Sequence, residues 1–124
     1  MRTTAAILNI KYDLLTLCLD EQFDLFKKLL NSTRGIVDID YDDGYLIYMA
    51  AKKGKFEVVK FLVENGANVR LDDDATLKVA GGYGHCDIVE YLLKRGSNPK
   101  VLLYTMEYEK NPKIKQLVDL YLKE

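Results

Sequence analysis

Between Phe56 and Val63 the apolar residues fall at Phe56, Val58, Val59, Phe61, Leu62 and Val63, and charge is confined to Glu57 and Lys60. That spacing predicts a short amphipathic helix. Asn65-Gly66 closes it, since glycine can take the left-handed conformation that ends a helix. Just upstream, "YLIYMAAKKG", residues 45–54, carries apolar side chains at close helical spacing and stops at Gly54. Two short helices are therefore followed by a turn-rich connector, "ANVRLDDDA". Its aspartates suit capping of the next helix or bonding to their own backbone.

The same pattern returns along the chain. Shifting residues 42–70 by thirty places pairs Asp42 with Asp72, Asp43 with Asp73, Ala50 with Ala80, Gly54 with Gly84, Val59 with Val89, Leu62 with Leu92, Gly66 with Gly96 and Asn68 with Asn98. A weaker copy places "QFDLFKKLL" under "KFEVVKFLV", with Phe23 under Phe56 and Leu29 under Leu62. Another sets "QLVDLYLKE" under "CDIVEYLLKR", with Val118 under Val89. Internal repetition at this period marks a solenoid whose units cannot bury their apolar faces alone. Helices of eight to ten residues are marginal in water, so they must stack. Ala50, Ala51, Ala80 and Gly81 are small enough to let the first helices of neighbouring units approach closely. Gly82 is read the same way, as close packing against a neighbouring helix.

The expected fold is all-α, with about four stacked helix-turn-helix units near residues 12–39, 40–70, 71–100 and 101–124, preceded by a leader over 1–11. The outer units read as divergent end caps: Glu21 stands where glycine is expected, and Glu109-Lys110 stand where small alanines would pack. Ile7, Leu8 and Ile10 are expected to form an extra strand or helix over the first unit.

"GKFEVVKFLVENGANV" and "GHCDIVEYLLKRGSNP" resemble the second half of an ankyrin repeat, whose pattern is Gly-His-x-x-x-Val-Val-x-x-Leu-Leu-x-x-Gly-Ala-Asp/Asn. The thirty-residue period with its short connector is similar to the ankyrin repeats of giant DNA viruses. The resemblance implies an ankyrin-type solenoid that recognises a protein partner. This chain departs from the family at the start of the first helix, where Thr-Pro-Leu-His is replaced by Tyr45-Leu46-Ile47-Tyr48 and by Ala75-Thr76-Leu77-Lys78. Asp43 and Asp73 occupy the glycine position of the usual hairpin, which implies shortened fingers in place of full β-hairpins.

Composition narrows the function. With 18 basic and 19 acidic residues the net charge is -1, so there is no overall attraction to nucleic acid or anionic lipid. Cys18 and Cys86 sit far apart inside apolar periodic segments and read as free thiols in a reducing compartment. No uncharged apolar run reaches the roughly 18 residues that span a bilayer, and a cytoplasmic location is expected, in the host cell if the source is viral. The lone His85 has no partner in a nucleophile or metal motif and is read as a hydrogen-bonding link between helix and connector. The aspartate clusters at 38–43 and 72–74 lack a twelve-residue calcium loop and are read as turns. "GGYG", residues 81–84, lacks the Lys-Ser/Thr ending of a phosphate loop. Neither catalysis, a cofactor nor a metal is expected.

By the geometry the resemblance implies, a partner is gripped by the connector tips and the exposed, concave face of the first helices. On this sequence these are Tyr41, Asp42, Tyr45, Tyr48, Lys52 and Lys53 in the second unit and Leu71, Asp72, Asp74, Lys78 and Tyr83 in the third. Tyrosine suits an interface because it combines a large apolar ring with a polar tip, whereas Tyr91 and Tyr121 are read as core. The expected state is a monomer or weak homo-oligomer bound to a protein partner, a host protein if the source is viral. The alternatives are a nucleic-acid-binding stack using Lys52, Lys53, Lys55, Lys60 and Lys78, and a hydrolase using His85 with an aspartate.

Overall fold

A computed structural model describes residues 4–20 and 22–123. The reading of Glu21 as a cap residue lies outside the described residues. The helices are α1 (Thr4–Leu19), α2 (Phe23–Ser32), α3 (Tyr41–Lys52), α4 (Phe56–Glu64), α5 (Leu71–Gly82), α6 (Cys86–Lys94), α7 (Met106–Lys110) and α8 (Pro112–Leu122), with a 3-10 turn at Pro99–Leu102. There is no strand among the described residues. Residues 4–11 form the N-terminal half of α1, continuous with the segment that follows.

The hairpins α1/α2, α3/α4, α5/α6 and α7/α8 stack in chain order. First helices pack on first helices, α1 on α3, α3 on α5 and α5 on α7, while α4, α6 and α8 form the layer behind. The small residues do what their size predicts: Ala50, Ala51 and Ala80 have no exposed surface, and Gly81 is buried. A side chain on Gly81 would run into Leu102 of the next turn. Gly82 differs from the sequence reading, being exposed with no atom within 4 Å of where a Cβ would stand. Behind the first helices, Phe61 of α4 meets the edges of Phe23 and Phe26 of α2, and Tyr91 of α6 meets Phe56 of α4. Ring contacts thus join the first unit to the second and the second to the third.

The ends of the second helices follow from one glycine position. Gly66 has φ of 100°, its N–H donates to Val63 O at 3.0 Å, and Ala67 N–H donates to Leu62 O at 2.9 Å. Gly96 repeats this with Leu93 and Leu92. These paired bonds satisfy the last carbonyls of the helix. Ser97, which follows Gly96 as Ala67 follows Gly66, is buried, and its hydroxyl finds no partner.

The connectors depart from the capping reading. Neither Asp40 nor Arg70 caps its helix with its own side chain, while Asp38 Oδ1 accepts from Asp40 N–H at 2.9 Å and Asn68 Oδ1 from Arg70 N–H at 2.8 Å. Asp42, Asp43 and Gly44 instead form a left-handed turn, and Asp72, Asp73 and Asp74 repeat it. Left-handed backbone costs an ordinary L residue about 1–2 kcal/mol, and aspartate is among the residues that tolerate it best. Side-chain caps occur later, where Thr105 accepts from Tyr108 N–H and Asn111 accepts from Lys113 and Ile114 N–H.

The packing sets two expectations. Gly81→Ala should lower the unfolding free energy by about 1–3 kcal/mol through overpacking, and Gly82→Ala should raise it by up to about 1 kcal/mol through helix propensity, both measured by urea unfolding. Ser97→Ala, which removes a buried unpaired hydroxyl at a position the preceding unit fills with Ala67, should raise stability by about 1 kcal/mol, measured in the same way.

Candidate partner-binding face

The left-handed turns decide which of the predicted residues reach the surface. They project Asp42 and Asp72 into solvent at the starts of α3 and α5. Between them lies a notch of about 230 Å³ lined by Asp42, Asp43, Tyr45, Tyr48, Asp72, Ala75 and Thr76. Tyr45 is 40% exposed and Tyr48 is half-buried. Four of the predicted residues, from two consecutive units, therefore converge on one concavity.

A second group gathers at the other end of the same two helices. Lys52 Nζ lies 5.8 Å from the centroid of the Tyr83 ring, which is 60% exposed and stacked parallel to His85 at 6.3 Å. His85 Nε2 donates to the Lys52 carbonyl at 3.0 Å. A carbonyl oxygen can only accept, so this nitrogen carries a proton. The imidazole also fills the space beside Gly54, where a Cβ would stand 2.7 Å from its Cε1. His85 thus joins the third unit to the second. The link runs to the end of a neighbouring helix, where the sequence reading placed it between helix and connector.

The expected exposure of Tyr41 and Asp74 is corrected. Tyr41 is buried, its hydroxyl donating to Lys11 O at 3.4 Å while Lys11 Nζ sits 4.7 Å from its ring centroid. Burial, reinforced by the negative charge of Asp42, holds its phenol well above the usual range. Asp74 is 4% exposed. It pairs with Arg70, Nε to Oδ1 2.6 Å, and accepts from Asn98 N–H at 3.2 Å. Leu71 is half-buried, with its Cδ1 against Gly44. Tyr41 and Asp74 thus serve packing and connector geometry, Tyr41 preceding the first left-handed turn and Asp74 closing the second. Lys53 and Lys78 remain exposed.

The sequence reading did not anticipate the bonds between successive connectors. Asp40 Oδ1 accepts from Asn68 N–H at 2.9 Å, Arg70 Nη1 donates to Gly96 O at 3.0 Å, and Arg34 Nη2 donates to Asn65 Oδ1. Asn68 and Asn98, each thirty residues from the other, were the visible sign of it.

The lysines of the nucleic-acid alternative are spread over several elements: Lys52 ends α3 and Lys53 follows it, Lys55 precedes α4, Lys60 lies on α4 and Lys78 on α5. Among the described residues no three His, Cys, Asp or Glu side chains are grouped to hold a metal ion, and no helix is long and apolar enough to cross a membrane. Cys18 is buried as expected, whereas Cys86 is only half-buried.

The profile described as "Ankyrin repeats (3 copies)" matches residues 14–102. An ankyrin repeat protein of Acanthamoeba polyphaga mimivirus is 41% identical over 75 residues, which is 59% of this chain and 23% of the viral protein. Alpha-latroinsectotoxin-Lt1a of Latrodectus tredecimguttatus is 31% identical over 51 residues, 41% of this chain and 4% of the toxin. The chain thus spans less than a quarter of the length of either relative. No solved structure matches it.

The two thiols should differ in reactivity. Burial pushes the Cys18 thiol up to about 12, against the opposing pull of Lys55, and only a thiolate reacts readily. At pH 8 a thiol-titrating disulfide reagent should modify Cys86 in the folded chain and Cys18 at least about tenfold more slowly. Both should react at once in denaturant.

Proposed function

The chain belongs to the ankyrin-repeat family, and from that premise we propose that it is a non-enzymatic module that grips a protein partner with its connector tips and the concave face of its first helices. One observation carries this reading: Asp42, Tyr45, Tyr48 and Asp72, contributed by two units, line a single notch. Phenol rings beside carboxylates offer apolar contact area together with acceptors, which fits an extended or helical protein segment carrying basic side chains. Tyr83 and Lys52 extend the same face along α3 and α5.

Rigidity supports the assignment. The tips stand on backbone held from both sides by the stack, so association orders little that is not already ordered. Three carboxylates around the notch, from Asp42, Asp43 and Asp72, repel phosphodiesters, which favours protein over nucleic acid. Similarity to a mimivirus protein extends the reading to a host-cell protein met in the cytoplasm, should the source be viral.

Affinity capture with the wild-type chain and with Tyr45→Ala/Tyr83→Ala should show partners lost or weakened by at least about tenfold in the variant, as expected for interface tyrosines. Far-UV circular dichroism and melting should be unchanged, because both side chains are substantially exposed. Partners retained at full affinity by the variant would move the interface to another face.

A further inference from the structure

Both ends of the stack expose apolar side chains. At the C-terminal end, α8 turns Leu120 to water among Lys113, Lys115 and Gln116. At the N-terminal end, α1 is apolar around most of its circumference, a pattern that belongs to a helix covered on two sides. Its stack-facing side buries Leu14 and Cys18. Leu8 is 58% and Tyr12 70% exposed on α1, and Leu25 of α2 is 50% exposed. A groove of about 510 Å³ runs between α1 and α2, lined by Leu17, Leu25 and Leu29 and by two opposite charges, Asp13 and Lys28. Neither charge forms an ion pair among the described residues.

We propose that this face is a self-complementary interface at which two copies of the chain pair through a two-fold axis parallel to α1 and α2. In a helical hairpin such an axis lays α1 of each copy over α2 of the other. Because Asp13 on α1 and Lys28 on α2 line the same groove, each aspartate then stands opposite Lys28 of the second copy, and the contact occurs twice. The apolar side chains of α1 and α2 close the centre, and the two charge pairs fix the register. A face of one sign could not pair with itself. A face with one acid and one base on adjacent helices can, and the charges then select orientation more than affinity. The pairing leaves the notch between α3 and α5 free on both copies, so a dimer would present two partner-binding faces.

The interface is tested by sedimentation velocity over a concentration series, using the full chain and charge variants at these two exposed positions. The wild type should approach the mass of two chains as concentration rises. Asp13→Lys and Lys28→Asp should each weaken self-association by at least tenfold, since each places like charges opposite one another twice. Mixing the two single variants should restore a dimer, because every pair across the axis is again of opposite sign. The double variant Asp13→Lys/Lys28→Asp should also dimerise. A wild type that stays monomeric at every concentration would overturn the proposal, as would a dimer indifferent to both single changes or single variants that fail to complement when mixed. Circular dichroism of each variant separates a lost interface from a lost fold.

Discussion

The close approach of α3 to α5 is the contact on which the rest of the molecule depends. Neither hairpin is large enough to enclose a core, and nine-residue helices such as α4 and α6 gain too little from their own hydrogen bonds to persist in water. Full burial of Leu46, Ile47, Leu77 and Val89 is worth roughly 1.5–3 kcal/mol each, and it is available only when neighbouring hairpins supply the opposite wall. Ala50, Ala51 and Ala80 suit that approach by their small size, while Gly81 makes room for Leu102 of the next turn. Any one unit is therefore stable to the extent that its neighbours are in place, which is the one-dimensional cooperativity of stacked repeats.

The connectors show how two units meet the same demand with different residues. In each, the N–H of an asparagine, Asn68 or Asn98, donates to a carboxylate from the preceding connector. For Asn68 the acceptor is Asp40. Thirty residues on, the place of Asp40 is taken by Arg70 and that of Gly44 by Asp74, so the acceptor moves four residues along the chain. Arg70 pairs with the displaced carboxylate and also reaches Gly96 O. The exchange explains why an aspartate occupies a left-handed position where the preceding unit has glycine: its carboxylate answers an asparagine N–H and a guanidinium at once. Partial burial makes that pairing more consequential than a surface ion pair, because an unpaired Asp74 would leave a charge out of water.

The fold was legible in the sequence because period and glycine spacing are features of backbone geometry. Gly66 and Gly96 end their helices as the pattern foretold, and Ala50, Ala51 and Ala80 are fully buried where α3 and α5 stack. Exposure was legible only in part. Tyr45, Tyr83, Asp42 and Asp72 are exposed and Tyr48 and Leu71 half-buried, but Tyr41 and Asp74 are buried, and nothing in residue type separates these sets. The discriminating variable is backbone handedness over three residues. Consecutive aspartates read locally as caps, whereas the tertiary demand of joining one unit to the next twists them into a left-handed turn. Gly82 shows the converse: beside Gly81 it seemed to share its role, but helical rotation carries it about 100° away from Leu102 and into solvent.

That handedness also shapes the face proposed for recognition. A β-hairpin finger would extend the connector away from the stack and leave its tip supported on one side. The left-handed turn instead folds Asp42 and Asp72 back over the starts of α3 and α5, with Leu71 wedged against Gly44 beneath and Lys11 Nζ 3.8 Å from Asp42 Oδ1 at the flank. The carboxylates therefore stand at fixed positions beside Tyr45 and Tyr48. If the notch binds as proposed, a surface already ordered loses little entropy on association, and selectivity would reside in its shape and charge. Variation confined to positions 45, 48, 75 and 76 could thus alter what the notch accepts without disturbing the turn that builds it, provided the buried Thr76 is replaced by a residue of similar volume.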